Sequence, residues 1–103
     1  MTRARFAVVY RWRLVEGREG AFERAWARVT EGLRAERGGL GSCLHRAEDG
    51  TWVAYARWPD RATWQRSRDA GAVDEGAAER MRAAIAESLE PLLLDLLDDR
   101  LGA

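Results

Sequence analysis

Residues 5 to 15, RFAVVYRWRLV, alternate with the two-residue period of a β-strand, and both faces they define carry apolar side chains. Phe6, Val8, Tyr10, Trp12 and Leu14 point one way; Ala7, Val9, Arg11, Arg13 and Val15 point the other. A strand of this kind needs cover on both sides. A chain of 103 residues, read as one domain over residues 1–103, has material for one sheet and one helical layer. Cover for the second face is therefore expected from a second copy, and a homodimer is the simplest solution.

The remaining segments agree with one sheet and one helical layer. After EGREG the period changes to that of a helix over residues 19 to 37, with Phe22, Ala25, Trp26, Val29 and Leu33 in one stripe. Gly38 and Gly39 end it. Residues 40 to 58 read as a hairpin around EDGT, with Asp49-Gly50 expected as a two-residue type I′ turn. That turn sets Gly41 opposite Trp58, Cys43 opposite Ala56, His45 opposite Ala54 and Ala47 opposite Trp52. Directly opposed residues share a face, so His45 and Cys43 are expected beside Trp52, Ala54, Ala56 and Trp58.

Pro59-Asp60 opens a short helix with Asp60 as N-cap and Trp64 inside it, and residues 70 to 76 form a joint. A further helix is expected over residues 77 to 90, with Ala78, Met81, Ile85 and Leu89 inward and Pro91 as its stop. The tail PLLLDLLDDRL fits either a helix or a buried strand; Pro91 favours a strand at 92 to 97. The order strand, helix, strand, strand, helix pair, strand is the α+β ferredoxin-like, split βαβ arrangement, with a four-stranded antiparallel sheet.

Charge and composition exclude several classes. The 17 basic and 17 acidic residues cancel without a long run of either sign, so neither nucleic acid nor an anionic membrane is an expected partner. No stretch has transmembrane length or the form of a signal peptide, and the one cysteine forms no disulfide framework; the expected setting is the cytoplasm. Every basic residue except His45 is Arg, as a G+C-rich coding sequence would produce. No HExxH, CxxC, GxGxxG or GxSxG motif occurs, so no metal, nucleotide or serine-hydrolase site is expected.

This order, with VVYRWRLVEGREGAFERAW, LHRAEDGTWVAYARWPDRATW and IAESLEPLLLDLLDD, resembles the antibiotic biosynthesis monooxygenase family of dimeric α+β barrels. The resemblance spans nearly the whole chain. It implies a ligand cavity between sheet and helices, and a reaction drawn from a range that includes cofactor-free oxidation of polyketide phenols and haem degradation. The haem-degrading pattern asks for Asn, Trp and His where this chain has Tyr10, Trp64 and Asp74, so that route is not expected here.

A cofactor-free oxygenase needs a flat apolar slot, a group that helps form the phenolate or carbanion, and exclusion of bulk water. The resemblance and the hairpin register together assign His45, the only histidine, as the base and Tyr10 as donor to the developing oxyanion. Trp64, Trp58 and Trp26 would flank the ring, and Ala54 and Ala56 would leave room for it. Arg11 or Arg57 would take over if the first strand faced the opposite way. The bland reading stands beside this one: Trp58 as core packing, His45 as a hydrogen-bonded structural residue, Cys43 as a small buried hydrophobe, and Trp52 undecided. Two functions follow, namely a cofactor-independent monooxygenase of a phenolic or polycyclic aromatic compound, or a non-catalytic dimer that binds a small apolar molecule, for example under stress.

Overall fold

A computed structural model describes residues 3–101. β1 (Phe6–Leu14) is followed by α1 (Glu19–Glu36), the hairpin β2 (Ser42–Arg46) and β3 (Trp52–Trp58), then α2 (Arg61–Asp69) and α3 (Glu75–Ala84). Two short strands, β4 (Ile85–Ser88) and β5 (Leu92–Asp95), complete the order. The sheet runs β2-β3-β1-β4, and β5 pairs β1 further along the same edge. Every pairing is antiparallel, which gives the expected ferredoxin-like sheet with β1 at its centre; it has five strands instead of the expected four, because β4 and β5 share one edge of β1.

The even-numbered side of β1 faces the helices. Phe6 and Val8 pack with Trp58 and Trp64 in one cluster; Trp12 packs with Phe22, Ala54 and Ala84 in another. Tyr10 touches both. Aromatic edges interlock the second cluster, with Trp12 and Phe22 centroids 5.0 Å apart and Phe22 and Trp52 6.0 Å apart, both edge-on. Trp52, left open by the sequence, is thus half-buried packing.

Helix ends follow local chemistry. Gly38 adopts φ +81°, and the Gly39 N–H returns to the Leu33 carbonyl, closing α1. Asp60 caps α2 by accepting from Thr63 N at 2.7 Å, and Asp74 caps α3 by accepting from Ala77 N at 3.0 Å. Arg37 donates to the Ser67 and Gly71 carbonyls at the end of α2, tying that helix to the end of α1.

Two further expectations fail. The hairpin is one residue out of the predicted register: Cys43 lies opposite Tyr55, Leu44 opposite Ala54, and His45 opposite Val53. The loop is longer than a type I′ turn. Ala47 pairs with Thr51, the Gly50 N–H reaches the Ala47 carbonyl, and only Gly50 takes a positive φ, +91°. This is a type I turn followed by a left-handed glycine. Asp49 stays out of the left-handed region, where its carboxylate accepts from both Thr51 N (3.0 Å) and Thr51 Oγ1 (2.7 Å). A one-residue slip transfers every side chain of β2 to the other face. His45 and Cys43 therefore lie exposed on the side away from the helices.

The predicted helix over 77 to 90 stops at Ala84, and Ile85 is already extended (φ −94°, ψ 124°). The edge of β1 is the competing partner: Val15 N donates to the Ala84 carbonyl and Leu89 N to the Arg11 carbonyl. Pro91 falls in the break between β4 and β5, where no ladder donor is required. The strand expected at 92 to 97 is present as β5.

Phe22 is fully buried between Trp12 and Trp52. Phe22→Ala is expected to lower the unfolding free energy by roughly 3–5 kcal/mol, read from the midpoint of a urea transition.

Candidate functional site

Small residues on the helix side of the sheet, Ala56 of β3 and Gly41 and Ser42 at the start of the hairpin, leave space under the helices. A cavity of about 190 Å³ lies there. Tyr10, Trp12, Ala56 and Trp58 form its sheet wall; Trp26, Val29, Leu33 and Met81 form its helix wall. Its polar end comes from Thr30 and Arg34 of α1 and from Gly41 and Ser42 at the start of β2. A second cavity of about 170 Å³ continues beyond Tyr10, Leu33 and Trp58, walled by Trp64, Ser67, Arg68 and Asp74.

Tyr10 stands between the two cavities. Its hydroxyl accepts a 2.9 Å hydrogen bond from Trp64 Nε1. An indole nitrogen only donates, so the phenolic proton is left for another acceptor. Burial pushes the Tyr10 pKa above its ordinary 10.0, against smaller opposing effects of the Trp64 bond and the Arg68 charge. At neutral pH the group is therefore a protonated donor. Trp64 is held in turn: Phe6 packs at 5.6 Å between centroids, and the Arg68 guanidinium lies 5.1 Å over its ring.

The residues singled out from the sequence are only partly brought together. Tyr10, Trp26, Ala56 and Trp58 line the main cavity, while Trp64 lines the second. Ala54 lines neither; it is buried in the cluster around Phe22 and Trp12. His45 is on the far face of the sheet, where its Nδ1 donates to the Val53 carbonyl at 3.2 Å. It cannot reach a ligand under the helices. Arg11 and Arg57 issue from the outer side of β1 and β3, and Arg57, which also borders the main cavity, is paired with Asp99. Asp74, at the second cavity, is engaged by Ala77 N and by Arg28.

Sequence reasoning missed Thr30, Arg34 and Ser42. Thr30 and Arg34 sit one turn apart beside Val29 and Leu33, a spacing readable from α1 alone. Ser42 becomes legible only once the hairpin register is known.

The sheet order, the cavity and its aromatic walls define an α+β sheet-and-helix fold with a cavity between sheet and helices. Residues 5–86 match the family model for antibiotic biosynthesis monooxygenase, and the chain belongs to that family. The fold is similar to that of SnoaB, a cofactor-independent oxygenase from Streptomyces nogalater, with TM-score 0.76 and 22% identity over 97% of this chain and 100% of that one. It is also similar to Rv0793 from Mycobacterium tuberculosis (TM-score 0.72, 19% identity, 92% of this chain and 97% of that one). A protein of unknown function from Nitrosomonas europaea matches with TM-score 0.74 and 17% identity, over 100% of this chain and 99% of that one. No curated protein matches by sequence. Among the described residues, no helix is long and apolar enough to cross a membrane.

The raised Tyr10 pKa has a direct consequence. The stabilisation from keeping the phenol buried is complete below pH 10.0 and is lost as pH rises through the folded value. In a spectrophotometric titration, Tyr10→Phe should remove a tyrosinate phase whose midpoint lies above 10.0. Trp64→Phe should move that phase higher, because the indole bond favours the anion.

Proposed function

We propose that the protein is a cofactor-independent monooxygenase of a phenolic or polycyclic aromatic compound, with the ring held between Trp58 and Trp26 and an oxygen substituent at Tyr10. The observation that carries this reading is the free phenolic proton of Tyr10 at the wall of an apolar cavity. Family membership supports an oxygenase, as does the likeness in fold to a cofactor-independent one.

The chemistry asks little of the side chains. An activated methylene in an anthrone-like ring system loses a proton to water at the open side of the cavity, and the negative charge spreads to the ring oxygen. Tyr10 donates to that oxygen and stabilises the anion where it develops. The anion passes its electrons to dioxygen, a carbon–oxygen bond forms, and protonation gives a hydroperoxide. Loss of water leaves a carbonyl, with one oxygen atom in the product and one in water. The substrate supplies the electrons throughout.

A second reading is favoured by one feature: neither His nor a carboxylate lines the main cavity. A dimeric protein that binds an apolar molecule without turning it over needs no base. Oxygen uptake with an anthrone separates the two. Under the oxygenase reading the wild type consumes oxygen and Tyr10→Phe slows it roughly 100-fold. Undiminished uptake in the variant removes Tyr10 from the mechanism. Tryptophan quenching by the anthrone without uptake favours the binder.

Members of the family are typically small-molecule-binding dimers. We infer that the outer sheet face carries the dimer contact here. Val9, Val53 and Tyr55 stand on it half-buried, while Leu92 and Leu94, opposite Val9 and Ala7, are 51% and 39% exposed. Apolar side chains in such a row are stabilised by a matching face. Sedimentation equilibrium should give twice the mass of one chain for the wild type and one chain for Leu92→Glu combined with Tyr55→Glu. A monomeric wild type would sink the inference.

A further inference from the structure

We propose that the main cavity is built for an aromatic ligand carrying an acidic substituent, a carboxylate, which docks on Arg34 and Ser42 at the end formed by α1 and the opening of the hairpin. This rests on the reading of the cavity as the ligand site and adds the class of ligand it selects.

The Ser42 hydroxyl is inaccessible to solvent and has no hydrogen-bond partner. Register places it on the helix side of the sheet, opposite Ala56, in the cavity wall. Buried hydroxyls in folded proteins are ordinarily paired, and an orphan in a cavity wall is satisfied when a ligand supplies an acceptor. Arg34 lines the same cavity. Gly41 holds φ +107° just before Ser42, and the place a Cβ would take is 3.8 Å from Arg34 Cδ and 3.9 Å from Arg34 Nε. The Arg34 stem thus lies within ordinary van der Waals range of position 41, the residue before Ser42, and the positive φ there is what calls for glycine.

Charge decides the class of ligand. The lining contains two cations, Arg34 and Arg57, and neither an acid nor a histidine. Arg57 is neutralised by Asp99. Among the described residues the ion pairs involve Arg13, Arg28, Arg57 and Arg100, and none involves Arg34. An exposed, uncompensated guanidinium at the polar end of an apolar slot, beside an unpaired hydroxyl, matches a carboxylate: one oxygen on the fork, the other on Ser42. Thr30, one turn earlier on the same helix, adds a further hydroxyl to this end and no negative charge. Tyr10 is a separate donor on the sheet wall, so acid and ring oxygen are read by different residues.

The test compares 2-naphthoate with 2-naphthamide, matched in shape and differing in charge, by quenching of tryptophan fluorescence at neutral pH. Naphthoate is expected to bind about tenfold more tightly. Arg34→Gln should bring the two to parity with naphthamide affinity retained, which also shows that the variant is folded. Ser42→Ala should weaken naphthoate severalfold. Equal affinities in the wild type, an unchanged ratio in Arg34→Gln, or no binding of either compound would overturn the proposal. Preferential binding of naphthoate without oxygen uptake from an anthrone would leave this selectivity standing and count against the oxygenase reading alone.

Discussion

β1 is the constraint on which the rest depends. It is paired on both edges, with β3 from Phe6 to Trp12 and with β4 and β5 on the other side. Its even-numbered residues enter both helix-side clusters, and its odd-numbered ones form the centre of the opposite face. A strand so placed has no edge exposed to water. The helices must supply cover for Phe6, Val8, Tyr10 and Trp12, and α1 does so only in part. Phe22 and Ala25 are buried, whereas Trp26, Val29 and Leu33 further along the same stripe remain half-exposed. The cavity is that unfilled remainder of the helix–sheet interface.

Tyr10 links this packing to the chemistry. It belongs to both clusters, lines both cavities and receives the indole bond of Trp64. The same burial that makes it part of the core keeps it protonated, and the donor that fixes its oxygen leaves its proton free. Trp64 in its turn is aligned by a helix that starts at the Asp60 cap and ends under Arg37. The functional reading is therefore carried by residues that also hold the domain together, with the polar end around Arg34 as the part least occupied by packing.

Much of this was legible from period and punctuation. The strand at β1, the stripe of α1, the Asp60 cap and the strand after Pro91 all follow from short-range rules, and each is found. Tyr10, Trp26, Trp58 and Ala56 reach the cavity because their place in a strand or helix decides their face. His45 failed for a local reason with a large effect. Asp49 has two acceptor bonds available from Thr51 if the loop takes one more residue, and that single residue turns β2 over. The end of α3 failed differently: its apolar spacing does continue past Ala84, but the open edge of β1 offers backbone hydrogen bonds that a further turn of helix would forgo. Ile85 still packs inward, now as a strand residue.

The sequence by itself determined the order of elements from β1 to α3, the two-faced strand β1 and the family, because hydrophobic period, turn residues and caps act over a few positions. Tertiary structure decided which face of β2 looks inward, where α3 gives way to an edge strand, and that Ser42 and Arg34 line one cavity. Those outcomes depend on competition between hydrogen-bond partners distant in the chain, and on the space left once large side chains have packed.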